Sequence, residues 1–375
     1  MNLLLLIFFC VLCHAAFHGV RVTVSLLALA DGASAFTVGT LMALMAAFPM
    51  ALGVVAGRWT DRVGAKRPLL YGAAAIGLSA ALPAISPKLS VLFLSAAFVG
   101  TGMMAVQVAL QNAVGMMSSV EERVNNFGYM ALAMSGSGFV GPLIAGFGID
   151  HAGYRATFTV VALLPVVTLV AIASGRIAVA PPHPHADRHG ERRVLDLLRQ
   201  KELRRVFVAS SLLAMGWDMH SFFVPIIGTQ KGLSASQIGV TLSAFALATF
   251  VIRIAMRWIA RRYREWQVLN AAMFLACAMY LLFPFVVNGW QLMLLSFVLG
   301  LGLGAAQPMV MSLMHRITPA GRGGEALGLR TTLMNSLQVA TPLVFGGLGA
   351  AVGLTAVFWS MAVGLGAGGY FSRRV

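Results

Sequence analysis

Long, uninterrupted apolar runs constrain this chain more than any other feature. A helix needs about 20 mainly apolar residues to cross a hydrocarbon core of roughly 30 Å. Such runs recur twelve times, at 3–29, 36–56, 68–86, 89–112, 126–149, 154–175, 206–227, 235–256, 266–287, 289–313, 326–350 and 352–371. They are continuous rather than alternating, so they predict helices and not a barrel. Of the 375 residues, 59% are hydrophobic and 10% charged, against about 25% charged in soluble domains. No soluble core absorbs that much apolar surface. The expected class is an all-α membrane protein with twelve transmembrane helices.

Residues 176–205 form the single long polar segment, with Pro181, Pro182, His183, Pro184 and His185 near its start. It divides the chain into an N-terminal six-helix bundle (1–175), a cytoplasmic linker (176–205) and a C-terminal six-helix bundle (206–375). A surface helix is expected over 191–204. His183, His185 and His189 could bind a metal, but a loop of histidines has no fixed geometry and reads as a solvated tract. The halves are repeats. Gly100, Gly102 and Gln107 recur as Gly300, Gly302 and Gln307. Gly128, Pro142, Gly146, Gly153 and Phe158 recur as Gly328, Pro342, Gly346, Gly353 and Phe358, again 200 residues on. Arg58, Trp59 and Arg62 recur at an offset of 199 as Arg257, Trp258 and Arg261. Two parallel, pseudo-symmetric halves about an axis normal to the membrane follow.

The net charge of +15 raises a nucleic-acid reading, which the distribution excludes. Arg21 and Arg253 fall inside spans, and Lys88, Arg155 and Lys231 lie on one side. The remaining Lys and Arg collect on the other. That is the positive-inside pattern, and it places both termini in the cytoplasm. Cys10, Cys13 and Cys277 lie in apolar runs and read as small buried hydrophobes. The first run lacks a basic leader and is too long for a cleaved signal, so it reads as a span. Short outer loops and the absence of Asn-x-Ser/Thr sequons fit a bacterial inner membrane. No metal-plus-base or nucleophile–base arrangement points to an enzyme, and no cofactor is implied.

An ionisable group at mid-bilayer costs about 2.5–3.5 kcal/mol on insertion scales, so each one needs a reason. His14, His18 and Arg21 are spaced by four and three residues and share one helix face. That face should look into the bundle or a central cavity. Asp218, in the seventh span, is the one acid near mid-membrane. An offset of 200 aligns it with His18; an offset of 199 would align His18 with Trp217 instead. Asp218 is the expected coupling or substrate-contacting acid, with His18 or Arg21 as partner, against a static salt bridge between the halves. His220 lies about 200° round the helix from it. Gln107 and Gln111 share a face of the fourth span, and Gln307, Asn335 and Gln338 are similar candidates for cavity contacts or interhelical hydrogen bonds. Arg253 is expected to snorkel to the interface. Cys10, His14 and His18 recur every four residues and carry suitable donors for a transition metal. A complete site needs a further ligand and more acid than the region offers, so no metal is predicted.

Residues 57–68 are the most charged run of the first half. Gly57, Asp61, Arg62, Gly64, Lys66 and Arg67 resemble the loop between spans two and three of the major facilitator superfamily of secondary transporters. In span five, Gly128, Gly141, Pro142 and Gly146 resemble a second motif of that family, commoner in antiporters, with Ser137 and Ala145 where glycine is usual. The resemblance covers the whole chain and implies a monomer that works by alternating access, with membrane lipid, a small-molecule solute and protons as partners. Proton-coupled efflux of a drug or metabolite is the leading expectation. Uptake of an organic anion is the alternative, and a non-transporting sensor or scaffold is the reading from another class. The His14, His18 and Arg21 stripe favours an anionic or neutral amphipathic solute. In resembling transporters the loop acid lies against the start of span eleven, which puts Asp61 near Glu325–Gly328. Arg62 could pair with Glu121 or Glu122, or simply be solvated. The second half keeps only Arg and Trp of this loop, so a one-sided latch is expected. Resembling proton-coupled drug antiporters usually carry an arginine in span four, where this chain has Ala96.

Overall fold

A computed structural model of the chain describes residues 2–119, 122–175, 194–319 and 323–372. Regular structure among them is helical. The first four spans are α1 (Asn2–Ala30), α2 (Ala35–Val63), α3 (Lys66–Ile85) and α4 (Leu89–Met117). The fifth and sixth form one 51-residue element, α5 (Arg123–Ala173), interrupted at Gly153, where φ is 79° and ψ 172°. The backbone stays helical through Pro142 and breaks only at Gly153, where two helices meet. After a 3₁₀ turn at Val194–Arg199 come α6 (Lys201–Gln230), α7 (Ala235–Arg262), α8 (Glu265–Leu282), α9 (Gly289–Ile317), α10 (Gly323–Val352) and α11 (Leu354–Ser372). Twelve helical spans result, as the apolar runs require. Nine helical segments among the described residues are long and apolar enough to cross a membrane, one of them the double-length Asn125–Ala173. Several helices outrun their apolar stretch: α2 continues through Arg58, Asp61 and Arg62 before ending at Val63. The surface helix expected over 191–204 is a short 3₁₀ turn followed directly by the start of α6. His183, His185 and His189 lie outside the described residues.

The described residues fall into two compact units. The first takes Met1–Ala33, Leu41–Asp187 and Ser234–Ser243; the second takes Ser34–Thr40, Arg188–Leu233 and Ala244–Val375. Each unit thus contains the opening turns of a helix whose remainder belongs to the other. In the first unit these turns pack backbone to backbone on α5: a Cβ added at Gly239 would lie 2.5 Å from the Pro142 carbonyl oxygen. The second unit repeats the contact on α10, where a Cβ at Gly39 would lie 2.4 Å from the Pro342 carbonyl oxygen.

Backbone hydrogen bonds fix the register of the repeat. In the turn after α1, the N–H groups of Asp31, Gly32 and Ala33 donate to the carbonyls of Leu27, Leu29 and Ala28. After α6, those of Lys231, Gly232 and Leu233 donate to Ile227, Thr229 and Gly228. Gly32 and Gly232 both take the left-handed conformation, at φ 80° and 69°, which glycine adopts without steric cost. The offset between α1 and α6 is therefore 200, and His18 corresponds to Asp218, not Trp217.

Candidate functional site: a polar stripe on the first span and its counterpart

In the first unit α1 runs along α5. Gly141 sits at the tightest point: a Cβ there would lie 2.5 Å from the Ala15 carbonyl oxygen and 2.7 Å from the His18 Cβ. This approach brings Ser137, one turn earlier on α5, to His14, with Nδ1 and Oγ 2.5 Å apart. Ser137 donates its own proton to the Met134 carbonyl at 2.6 Å. The His14 and His18 rings meet edge to face at 4.7 Å, and Phe17 packs on His18 at 5.4 Å. Arg21 donates from Nε to the Met42 sulfur at 3.3 Å. His14, Phe17, His18 and Arg21 are all half-buried. On α4, Gln107 is half-buried and Gln111 exposed.

The second unit presents the same register on α6. Ala214, Trp217 and Ser221 are half-buried, like His14, Phe17 and Arg21. Asp218, the counterpart of His18, is more enclosed at 7% exposure and lies within electrostatic reach of Tyr280 on α8. The Tyr280 hydroxyl donates to the Gly216 carbonyl. His220 is buried and stacks on Phe245 at 4.1 Å, while Trp217 meets the same ring edge-on at 4.8 Å. Asn335 is half-buried on α10 and Gln338 exposed. Arg253 is engaged by a neighbouring helix: its Nη2 donates to Gln307 Oε1 at 3.3 Å, which snorkelling alone would not give. Among the described residues no group of three or more His, Cys, Asp or Glu is arranged to hold a metal.

Sequence reasoning missed Arg330, counting it with the loop basics. It lies seven residues into α10, half-buried, and its Nε donates to Ser210 Oγ on α6 at 3.0 Å. Its position inside the run 326–350 was the available signal.

The charged loop is built from a helix end. Gly64 takes φ 78° and its N–H closes onto the Thr60 carbonyl at 2.9 Å, the αL cap that ends many helices. Gly57 faces open space. Asp61 is exposed and accepts from Asn112 Nδ2 on α4 at 3.0 Å. The side chains of Glu325 and Gly328, and all of Glu121, lie outside the described residues; Arg62 makes no ion pair among them. The second unit also holds an acid at the equivalent place. Ser312, 200 residues after Asn112, donates to Glu265 Oε1 at 3.1 Å, and Arg316 pairs with Glu265 Oε2 at 3.2 Å. The acid comes from the start of α8 instead of the end of α7, so the aligned motif hides it. Asp150 was also missed. Its two carboxylate oxygens accept from the N–H groups of Ala235 (3.1 Å) and Ser236 (2.7 Å), capping α7 within the first unit. Its repeat counterpart is Ala350, so the internal symmetry offers no hint of it.

Comparison with known proteins places this geometry in a wider group. A sequence model described as Major Facilitator Superfamily matches residues 4–209 and 206–374. The class D tetracycline resistance protein of Salmonella ordonez is 25% identical over 316 residues, covering 82% of this chain and 78% of that protein. The quinolone resistance protein NorA of Staphylococcus aureus is 23% identical over 325 residues, covering 84% and 82%. Among solved structures, the peptide transporter POT in complex with sulfate shares the fold, with a TM-score of 0.82 at 16% identity over 100% of this chain and 94% of that one.

Proposed function

Because this chain belongs to the major facilitator superfamily, we propose that it is a secondary active transporter working by alternating access, which exports a drug or metabolite in exchange for protons. The observation that carries the reading is the half-buried stripe of His14, His18 and Arg21, whose register recurs on α6 around Asp218. Ionisable groups at this depth are expensive and mark ion or substrate pathways. The names of the relatives, resistance to tetracycline and to quinolones, support efflux. In this reading the working halves are 1–175 and 206–375, joined by the linker 176–205. The protein lies in a bacterial inner membrane as a monomer, with both termini in the cytoplasm, which the clustering of basic residues supports. Gln107, Gln111, Gln307, Asn335 and Gln338 contribute polar contacts to the solute. Gly57, Asp61, Arg62, Gly64, Gly141 and Pro142 serve the conformational switch.

A second reading has its own support. Arg21, Arg253 and Arg330 lie within helical spans against the single acid Asp218, an excess of positive charge that favours an organic anion, taken up instead of expelled. One experiment separates these. Compounds that stabilise the purified protein at two pH values are tested for flux in proteoliposomes under a pH gradient. Exchange against protons supports efflux, and accumulation with protons supports uptake. Gradient-independent binding without flux would leave the sensor class standing. Asp218→Asn is expected to abolish gradient-driven flux; a variant that still transports with the gradient would remove Asp218 from the coupling role.

A further inference from the structure

A serine hydroxyl has one proton to give. Ser137 gives its proton to the Met134 carbonyl at 2.6 Å, so toward His14 its oxygen accepts. His14 must then donate from Nδ1 across the 2.5 Å contact. The network thus assigns the proton of the neutral ring to Nδ1 and leaves the lone pair on Nε2. The ring is held in place by its contact with His18 and by the close approach of Gly141 to Ala15 and His18.

Among the described residues of the first unit, the helices around α1 bring no acid to that lone pair: α2, which meets α1 at Met42, has Arg58, Asp61 and Arg62 only in its last turns. On α1 itself the ionisable groups are Cys10, Cys13, His18 and Arg21. On α5 there is none between Tyr129 and Asp150, and beyond Asp150 come His151, Tyr154 and Arg155 at the far end. The Tyr154 hydroxyl donates to the Leu26 carbonyl, three turns further along α1. α4 has no ionisable residue from Leu89 to Met117. α3 carries only Lys66, Arg67 and an exposed Tyr71, all in its first turns.

We propose that His14 Nε2 is the proton-binding atom of the first unit during the transport cycle, and that Ser137 is the positioning residue that holds the receptive tautomer. This rests on the proton-coupled reading above. In the step, the Nε2 lone pair forms a bond to a proton of a hydronium ion, whose O–H bond breaks to leave water, and the ring becomes an imidazolium. Nδ1–H still donates to Ser137, so the contact survives in both states. Ser137 therefore selects which nitrogen titrates without opposing the charge. Like-charge repulsion between rings 4.7 Å apart holds the His14 and His18 pair to one proton. The serine replaces the glycine usual at this motif position in resembling transporters; glycine there would leave Nδ1 without this acceptor.

The test has a spectroscopic arm and a transport arm, both on the full-length protein. Imidazole ¹⁵N NMR of the histidine-labelled protein at alkaline pH should show an Nδ1–H ring from His14 in addition to that of His151, whose Nδ1 donates to the Phe147 carbonyl at 2.9 Å. The His14 signal should vanish in His14→Asn and move to the Nε2–H form in Ser137→Gly. In proteoliposomes, the flux of a stabilising compound should rise with the imposed pH gradient in the wild type. In His14→Asn it should lose that dependence, and in Ser137→Gly the pH profile should shift. A His14 ring in the Nε2–H tautomer overturns the role of Ser137. Wild-type gradient dependence in His14→Asn overturns the proton site while the transporter reading stands. A wild type with flux but no gradient dependence overturns proton coupling and this site together, and a wild type with no flux overturns the transporter reading as well.

Discussion

Gly141 leaves no room for even a methyl group. A Cβ at that position would press on the Ala15 carbonyl and the His18 Cβ at 2.5 and 2.7 Å, and the backbone cannot yield without separating α1 from α5. Gly141→Ala is expected to cost about 1–3 kcal/mol, the usual range for overpacking a tight contact, and to lower Tm in detergent. Gly136→Ala, whose added carbon meets nothing within 4 Å, should leave Tm unchanged. Arg330 makes a different kind of demand. Its one hydrogen-bond acceptor among the described residues is the neutral hydroxyl of Ser210, so its charge is not cancelled by an acid there. Arg330→Gln should weaken an anionic solute about tenfold, ~1.4 kcal/mol, and leave a neutral one unaffected, read as the loss of ligand-induced thermal stabilisation. The face shared by His14, His18 and Arg21 is legible from spacing alone, because helix geometry is periodic. The partner of His14 is not, because spacing on one helix says nothing about which helix packs against it.

At the scale of elements, the acids near the helix ends repeat in placement but not in sequence. Asn112 and Ser312 occupy equivalent positions on α4 and α9, and each anchors one acid, Asp61 from the end of α2 and Glu265 from the start of α8. A motif comparison aligns residues, whereas the structure aligns a function served from two different places; this is why Glu265 is invisible to the register of the repeat. Asp61→Asn and Glu265→Gln should each lower transport while leaving solute affinity nearly intact, measured as a reduced maximal flux at unchanged Kd. Full transport in both variants would reduce these loops to topology anchors, which their basic residues serve in any case. Asp150 acts on a third helix end. Its carboxylate supplies acceptors to two orphan N–H groups of α7 and sits at the positive end of that helix dipole. Asp150→Ala is expected to cost about 1 kcal/mol, the range for a lost N-cap, and to raise hydrogen exchange at the Ala235 and Ser236 amides first.

The whole molecule was legible where membrane physics leaves few options. An apolar run of sufficient length can only be a buried or lipid-facing helix, so the all-helical class and the count of twelve emerge from hydropathy. The junction between the fifth and sixth spans was less visible, since a single residue, Gly153, carries the break. Helix pairing was not legible, because lipid-facing and packed helices share one composition. The exchange of helix starts between the units has a consequence for how the chain is made. The first unit includes Ser234–Ser243, which leaves the ribosome 56 residues after Asp187, a delay of roughly 3–11 s at ordinary rates of synthesis. Until then Gly146 and Pro142 of α5 lack the helix they pack against. The newborn first half must wait in the membrane, with a backbone groove open to lipid or an insertion chaperone, for a piece that the ribosome has still to translate.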